Sequence, residues 1–97
     1  MNFAIRKDGE FIGEAILYHF DYNGGAELGV RILPEYDGKG LGRYAFGLVA
    51  TFALYNLDLS YIHAKCLKEN APSEKMLATH MHKIGEDKKY FYYRKNV

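Results

Sequence analysis

The 97-residue sequence contains a single cysteine, Cys66, so no disulfide can form within the chain. A lone thiol suits a reducing compartment. The sequence also lacks a signal peptide and any apolar run of membrane-spanning length, and both absences favour the cytoplasm. Neither sign of charge is in excess, because 13 Lys and Arg against 12 Asp and Glu leave a formal net charge of +1. No broad basic field therefore supports binding to nucleic acid or to a membrane surface.

The length predicts one domain, 1–97, with room for a single core but few residues for an enzyme. Apolar periodicity and turn residues predict a mixed α/β (α+β) fold that begins with an antiparallel meander. The expected elements are strands over 2–6, 11–20 and 26–33, a helix over 40–55, a strand over 59–66, a helix over 70–81 and a strand over 89–95.

Three alternating glycines, Gly38, Gly40 and Gly42, join the third strand to the first helix. Glycine lets the backbone approach a bulky anion, and the first-turn N–H groups of the helix point towards it. The segment lacks the Gly-Lys-Ser/Thr ending of a Walker motif and the glycine spacing of the dinucleotide fingerprint. The alternative is that these glycines only make a tight turn.

The helix after the glycines carries apolar residues at three- and four-residue spacing. These residues predict a buried stripe, which consists of Leu41, Ala45, Leu48, Phe52 and Tyr55.

The glycine segment resembles motif A of the GNAT superfamily of acyl-CoA N-acyltransferases, Gln/Arg-x-x-Gly-x-Gly/Ala. The motif falls on 37–42, where Asp37 replaces the usual Gln or Arg. Its carboxylate either faces away from the expected pyrophosphate or weakens the affinity for the cofactor by like-charge repulsion. A second segment, 70–77, is similar to the Asn-x-x-Ser helix start of the RimJ/RimL-like branch. Together the two motifs imply a GNAT fold over about residues 2–95.

Family members usually begin with a further strand and one or two helices, so the resemblance implies a chain shortened at its N-terminus. The strand over 2–6 would then expose an unpaired sheet edge, which favours a homodimer.

The resemblance implies acetyl-CoA as co-substrate and no metal. The backbone of the third strand would pair with pantetheine, the glycine loop would wrap the pyrophosphate, and the second helix would contact both arms of the cofactor. The residues implied are Arg31, Ile32, Leu33, Gly38, Lys39, Gly40, Leu41, Gly42, Arg43, Asn70, Ser73 and Lys75. Helix capping is the alternative role of Asn70 and Ser73, and a solvated surface charge is that of Lys75.

Glu27 occupies a place that resembles the general base of histone-acetylating relatives, and its alternative is a strand glutamate that faces solvent. The base and the tyrosine acid of the N-terminal-alanine branch would fall on Lys65 and Leu77, which cannot serve. The implied function is transfer of an acetyl group from acetyl-CoA to a primary amine by direct attack. The alternative is a non-catalytic module that binds acetyl-CoA or a second copy. The sequence does not identify the amine.

Two further clusters have ordinary explanations. His80 and His82 are two residues apart near a helix end and would face different directions, which disfavours a zinc site with His63 and Cys66. The tyrosine run 90–93 lies on an expected strand, so alternate rings would face the core and a partner surface.

Overall fold

A computed structural model describes residues 1–36 and 38–97, so Asp37 lies outside the described residues. A single 3₁₀ turn, Pro34–Tyr36, precedes the glycine segment. The remaining elements, in chain order, are β1 (Asn2–Lys7), β2 (Glu10–Tyr18), β3 (Gly25–Ile32), α1 (Leu41–Tyr55), β4 (Tyr61–Leu67), α2 (Ala71–His80), β5 (His82–Glu86) and β6 (Tyr90–Asn96).

The six strands form one sheet in the order β1-β2-β3-β4-β6-β5. Every neighbouring pair is antiparallel except β3 and β4, which run parallel. The predicted meander of the first three strands and the mixed, mostly antiparallel sheet with two main helices are confirmed.

The parallel pair β3 and β4 is joined over three residue pairs only: Gly25 with Tyr61, Ala26 with Ile62, and Glu27 with His63. Beyond Glu27, residues 28–32 of β3 pair with β2 but have no partner in β4. The two strands therefore diverge and leave a wedge-shaped gap in the middle of the sheet, with Glu27 and His63 at its apex.

Both helices pack on the same face of the sheet, α1 over β2 to β4 and α2 over β4 to β6, and they contact each other. The side chains of alternate strand residues, such as Leu17, Leu28 and Ile62, form the core beneath them. Among the described residues no helix is long and apolar enough to cross a membrane, and α1, the longest, has 15 residues.

The expected buried stripe of α1 is wrong in part. Ala45 is buried, but Leu48, Phe52 and Tyr55 are exposed. The helix is apolar around most of its circumference, so periodicity alone does not select one face. The small side chains let α1 lie close to the sheet, and the buried face consists of Ala45, Phe46, Val49, Ala50, Ala53 and Leu54.

Strand β5 was not expected from the sequence. It lies at the edge of the sheet, its residues are exposed or half-buried, and its register with β6 shifts between Lys83 and Gly85. No clean alternation of buried and exposed residues marks it. Pairing with β6 stabilises this strand, and that pairing is a tertiary contact.

Candidate functional site

A cleft of about 650 Å³ lies where the end of β3, the glycine loop and the first turn of α2 meet. Most residues expected to hold a cofactor lie in its wall, although they come from two segments about thirty positions apart. Those present are Ile32, Gly38, Gly40, Leu41, Gly42, Arg43, Ser73 and Lys75, joined by Val30, Tyr36, Ala71, Pro72 and Met76.

The first turn of α1 opens into this cleft without a side-chain cap. Gly40 is the N-cap residue and adopts a left-handed conformation at φ 75°. Glycine has no side chain that could accept a hydrogen bond from the first turn of the helix. The following amide N–H groups, with the positive end of the helix dipole, are therefore available to an anion. Gly38 is also left-handed at φ 78°. Both conformations favour glycine, so the backbone geometry of this loop, whether it binds an anion or only makes a tight turn, explains the two glycines.

Gly42 lies at the contact between the two helices. A Cβ there would sit 3.3 Å from Sδ of Met76 in α2. The missing side chain lets α2 approach the loop and brings Ser73 and Lys75 to the cleft.

The wedge between β3 and β4 presents backbone groups to the cleft. The N–H of Leu33 donates to the carbonyl of Ile12, at 2.9 Å, and is therefore taken by β2. Peptide groups alternate in direction along a strand, so those of Arg31 also face β2 and those of Val30 and Ile32 face the gap. Of the three backbone candidates, only Ile32 points towards the cleft. Sequence reasoning missed Val30, which the alternation of the strand could have identified.

The remaining expected cofactor residues take different positions. Oδ1 of Asn70 accepts from the N–H of Ser73 at 3.2 Å, so Asn70 caps α2 and does not line the cleft. Lys39 is exposed, with its Nζ 5.8 Å from the ring centroid of Tyr36. The Arg31 side chain points to the opposite face of the sheet and pairs with Glu14 at 2.8 Å.

Glu27 is buried, with 6% of its surface exposed, so it is not a strand glutamate that faces solvent. Tyr18 donates its hydroxyl to Oε2 at 2.7 Å, and Nδ1 of His19 lies 3.1 Å from Oε1. Because an ionised carboxylate only accepts, His19 donates through Nδ1. His19 follows β2 in a left-handed conformation, φ 52°, and its side chain is 71% exposed. The sequence did not single out Tyr18 or His19.

The electrostatics around Glu27 keep it ionised. Burial alone would raise the pKa of Glu27, but hydrogen bonds from Tyr18 and His19 and the nearby charge of Lys65 outweigh burial and lower it. Burial, together with the hydrogen bond to the Glu27 carboxylate, raises the pKa of the Tyr18 phenol to about 12. The arrangement therefore holds a carboxylate at the wedge apex at neutral pH.

No general acid lies at the position expected in the N-terminal-alanine branch. Leu77 is 2% exposed and belongs to the core beneath α2. Within residues 1–36 and 38–97, no group of three or more His, Cys, Asp or Glu side chains is placed to hold a metal ion.

The sequence profile of the acetyltransferase (GNAT) domain matches residues 1–80, which is most of the chain. The chain belongs to the GNAT acetyltransferase family. No curated protein sequence matches it significantly.

Solved structures share the GNAT fold with this chain. A spermidine N-acetyltransferase SpeG chimera from Vibrio cholerae and hSSAT superposes with a TM-score of 0.89 at 18% identity, covering 98% of this chain and 65% of its own. Campylobacter jejuni N-acetyltransferase PseH in complex with acetyl coenzyme A gives 0.86 at 21%, with 98% and 66% covered. Ribosomal-protein-S5-alanine acetyltransferase from Vibrio fischeri gives 0.84 at 22%, with 92% and 56% covered.

At these sequence identities, the structural similarity establishes the fold alone. The GNAT chain described here spans about 65% of the length of the SpeG chimera.

Proposed function

We propose that this GNAT chain binds acetyl-CoA in the cleft and transfers the acetyl group to a primary amine by direct attack. The observation that carries the proposal is the uncapped, glycine-rich start of α1, which opens into the same cleft as the unpaired edge of β3. An anion-binding helix end beside a free strand edge suits a ligand with a pyrophosphate and an amide-containing arm.

In this arrangement the N–H groups at the start of α1 bind the pyrophosphate, with charge assistance from Arg43 and Lys75. The peptide groups of Val30 and Ile32 pair with the pantetheine amides in the wedge. The thioester then lies near the wedge apex, where an N–H of β3 polarises its carbonyl oxygen.

Glu27 acts as the base in this proposal. The amine nitrogen attacks the thioester carbon, its proton passes to Glu27 through a water molecule, and the carbon–sulfur bond breaks to release the thiolate. Both carboxylate oxygens already accept hydrogen bonds, so Tyr18 and His19 orient Glu27 and His19 connects it to solvent. The thiolate takes its proton from water, because Leu77 offers none.

Substituting Gly40 by Asp tests cofactor binding. The carboxylate would lie at the start of α1 and repel the pyrophosphate, so we expect the affinity for acetyl-CoA to fall at least about tenfold. Isothermal titration calorimetry with acetyl-CoA measures this.

Gly9→Asp is the matched control for this test. Gly9 has φ 82° and, like Gly40, has ample space for a Cβ, but it lies in the β1–β2 turn. The two variants therefore share the backbone strain and the added charge. Equal affinity of both variants for acetyl-CoA would refute the proposed location of the pyrophosphate.

The second candidate is a non-catalytic module that binds acetyl-CoA. It is favoured by the buried apolar side chain of Leu77, which stands where the N-terminal-alanine branch has its acid. Release of free thiol from acetyl-CoA in the presence of amines separates the two functions, because only the enzyme produces it.

Asn70 and Ser73 support placing the chain in the RimJ/RimL-like branch. Buried, unpaired Cys66 is compatible with the reducing cytoplasm. The exposed apolar face of α1 supports a homodimer.

A further inference from the structure

The sheet face opposite the helices carries a row of aromatic and basic side chains next to Glu27. We call it the basic shelf. Its residues are Tyr61, His63, Lys65, Tyr90, Tyr92 and Arg94.

Strand register places these side chains on one face. His63 of β4 is opposite Glu27 on one side and Arg94 of β6 on the other, and Lys65 is opposite Tyr92. The backbones of Arg94 and Glu27 are therefore two strand spacings, about 10 Å, apart across the sheet. Lys65 is exposed and Arg94 is half-buried, so both are accessible.

The aromatic rings of the basic shelf hold its cations in place. The guanidinium carbon of Arg94 lies 3.8 Å from the ring centroid of Tyr61, and Nζ of Lys65 lies 4.9 Å from that of Tyr90. Tyr61 in turn covers Gly25, where a Cβ would collide with its ring. Glycine at this position thus lets Tyr61 lie flat beneath Arg94.

The carboxylates near the basic shelf are already engaged. Asp21 accepts the Tyr61 hydroxyl and two backbone N–H groups, and Asp87 accepts the Tyr92 hydroxyl at 2.5 Å and two backbone N–H groups. Hydrogen bonding from Tyr92 and the backbone lowers the pKa of Asp87 to about 2. Glu27 is held by Tyr18 and His19.

The two cations, by contrast, form no close ion pair with a carboxylate, although the charge of Lys65 is near enough to Glu27 to lower its pKa. Among residues 1–36 and 38–97, ion pairs involve His19, Arg31, Lys68 and Lys83, and none involves Lys65 or Arg94. A polyamine on this surface would meet two positive charges, and the carboxylates there already accept hydrogen bonds from the protein. An acceptor that also carries a negative group would find complementary charge.

We propose that the basic shelf selects an acceptor amine that also bears a carboxylate or phosphate, bound by Lys65 and Arg94 while the amine is directed to Glu27. The inference rests on the proposed acetyltransferase function, since it names the substrate class of that site.

Direct binding to the protein alone tests the basic shelf. The probes are 4-(aminomethyl)benzoate and 4-methylbenzylamine. Both are benzylamines, and the carboxylate of the first is replaced by a methyl group in the second. A charge-assisted contact predicts that the carboxylate probe binds about tenfold more tightly, as measured by NMR titration. Equal binding, or tighter binding of 4-methylbenzylamine or spermidine, would overturn the proposal.

Variants then assign the contact. Lys65→Gln and Arg94→Gln should each reduce the preference for the carboxylate probe, whereas Arg94→Lys should retain most of it. Lys88→Gln removes a charge from the exposed β5–β6 turn and should leave the preference unchanged. A preference that survives in both glutamine variants would contradict the assignment.

Thiol release from acetyl-CoA separates this inference from the proposed function. If the carboxylate probe binds through Lys65 and Arg94 but no thiol is released, catalysis fails while the anion site stands. If thiol is released equally with both probes and their binding is equal, the enzyme stands and the basic shelf does not select charge.

Discussion

At the residue scale, Glu27 is a buried carboxylate whose position is fixed by hydrogen bonds to both oxygens. It lies at the apex of the wedge, and one of its donors, His19, adopts a left-handed backbone. That conformation costs a β-carbon-bearing residue on the order of 1 kcal/mol. The hydrogen bond from His19 to Glu27 offsets this free-energy cost.

Glu27→Gln should slow acetyl transfer about 100-fold, because the amide still accepts the Tyr18 hydrogen bond but takes no proton. The affinity for acetyl-CoA should change little. Steady-state kinetics with a competent amine, together with calorimetry, measure both quantities.

Asp58→Asn is the control for that substitution. It removes an exposed carboxylate in the loop after α1 that does not line the cleft, and should leave turnover unchanged. Full activity of Glu27→Gln would place the base elsewhere.

At the scale of elements, the contact between α1 and α2 holds the first turn of α1. Nε2 of His80 lies 2.8 Å from the carbonyl oxygen of Arg43, and its ring stacks on Phe46 with centroids 5.7 Å apart. Gly47 makes room for this ring, since a Cβ there would lie 2.9 Å from Cε1 of His80. The end of one helix thus supports the loop at the start of the other.

Gly47→Ala should destabilise the fold by about 1 kcal/mol, because overpacking against His80 outweighs the gain in helix propensity. Denaturant unfolding measures the change.

In a His80→Ala background, the expected effect of Gly47→Ala on the stability of the fold changes sign. With the ring gone, Gly47→Ala should stabilise by about 0.5–1 kcal/mol through helix propensity alone. The same effect in both backgrounds would show that Gly47 and His80 are not coupled.

At the scale of the whole molecule, the outer face of α1 exposes a continuous apolar stripe. Tyr44, Leu48, Phe52 and Tyr55 are each at least 40% exposed. Phe52 contacts Phe3 of β1, with ring centroids 5.6 Å apart, so the stripe continues to the edge strand of the sheet. Contiguous apolar patches of this kind are typical of interfaces.

We expect the chain to self-associate through this stripe, and Leu48→Glu should shift the protein towards monomer. Sedimentation velocity over a dilution series measures the shift. Ile84→Glu is the control, because Ile84 is 60% exposed on β5 at the other edge of the sheet. A strictly monomeric wild-type protein would exclude the dimer.

Local sequence was sufficient for features whose physical cause is local. The left-handed glycines, the Asn70 cap and the meander could be predicted, because turn chemistry, capping and strand alternation act within a few residues. Glu27 was identified as a candidate base by family resemblance alone.

Tertiary structure alone decided the features that join distant segments. The wedge exists because β3 and β4 pair over only three residues, and Glu27 is buried because strand register brings Tyr18 and His19 against it. The face of α1 that is buried depends on how closely its alanines approach the sheet. The basic shelf depends on the register between β4 and β6, because a one-residue slip of β6 would turn its side chains to the opposite face of the sheet.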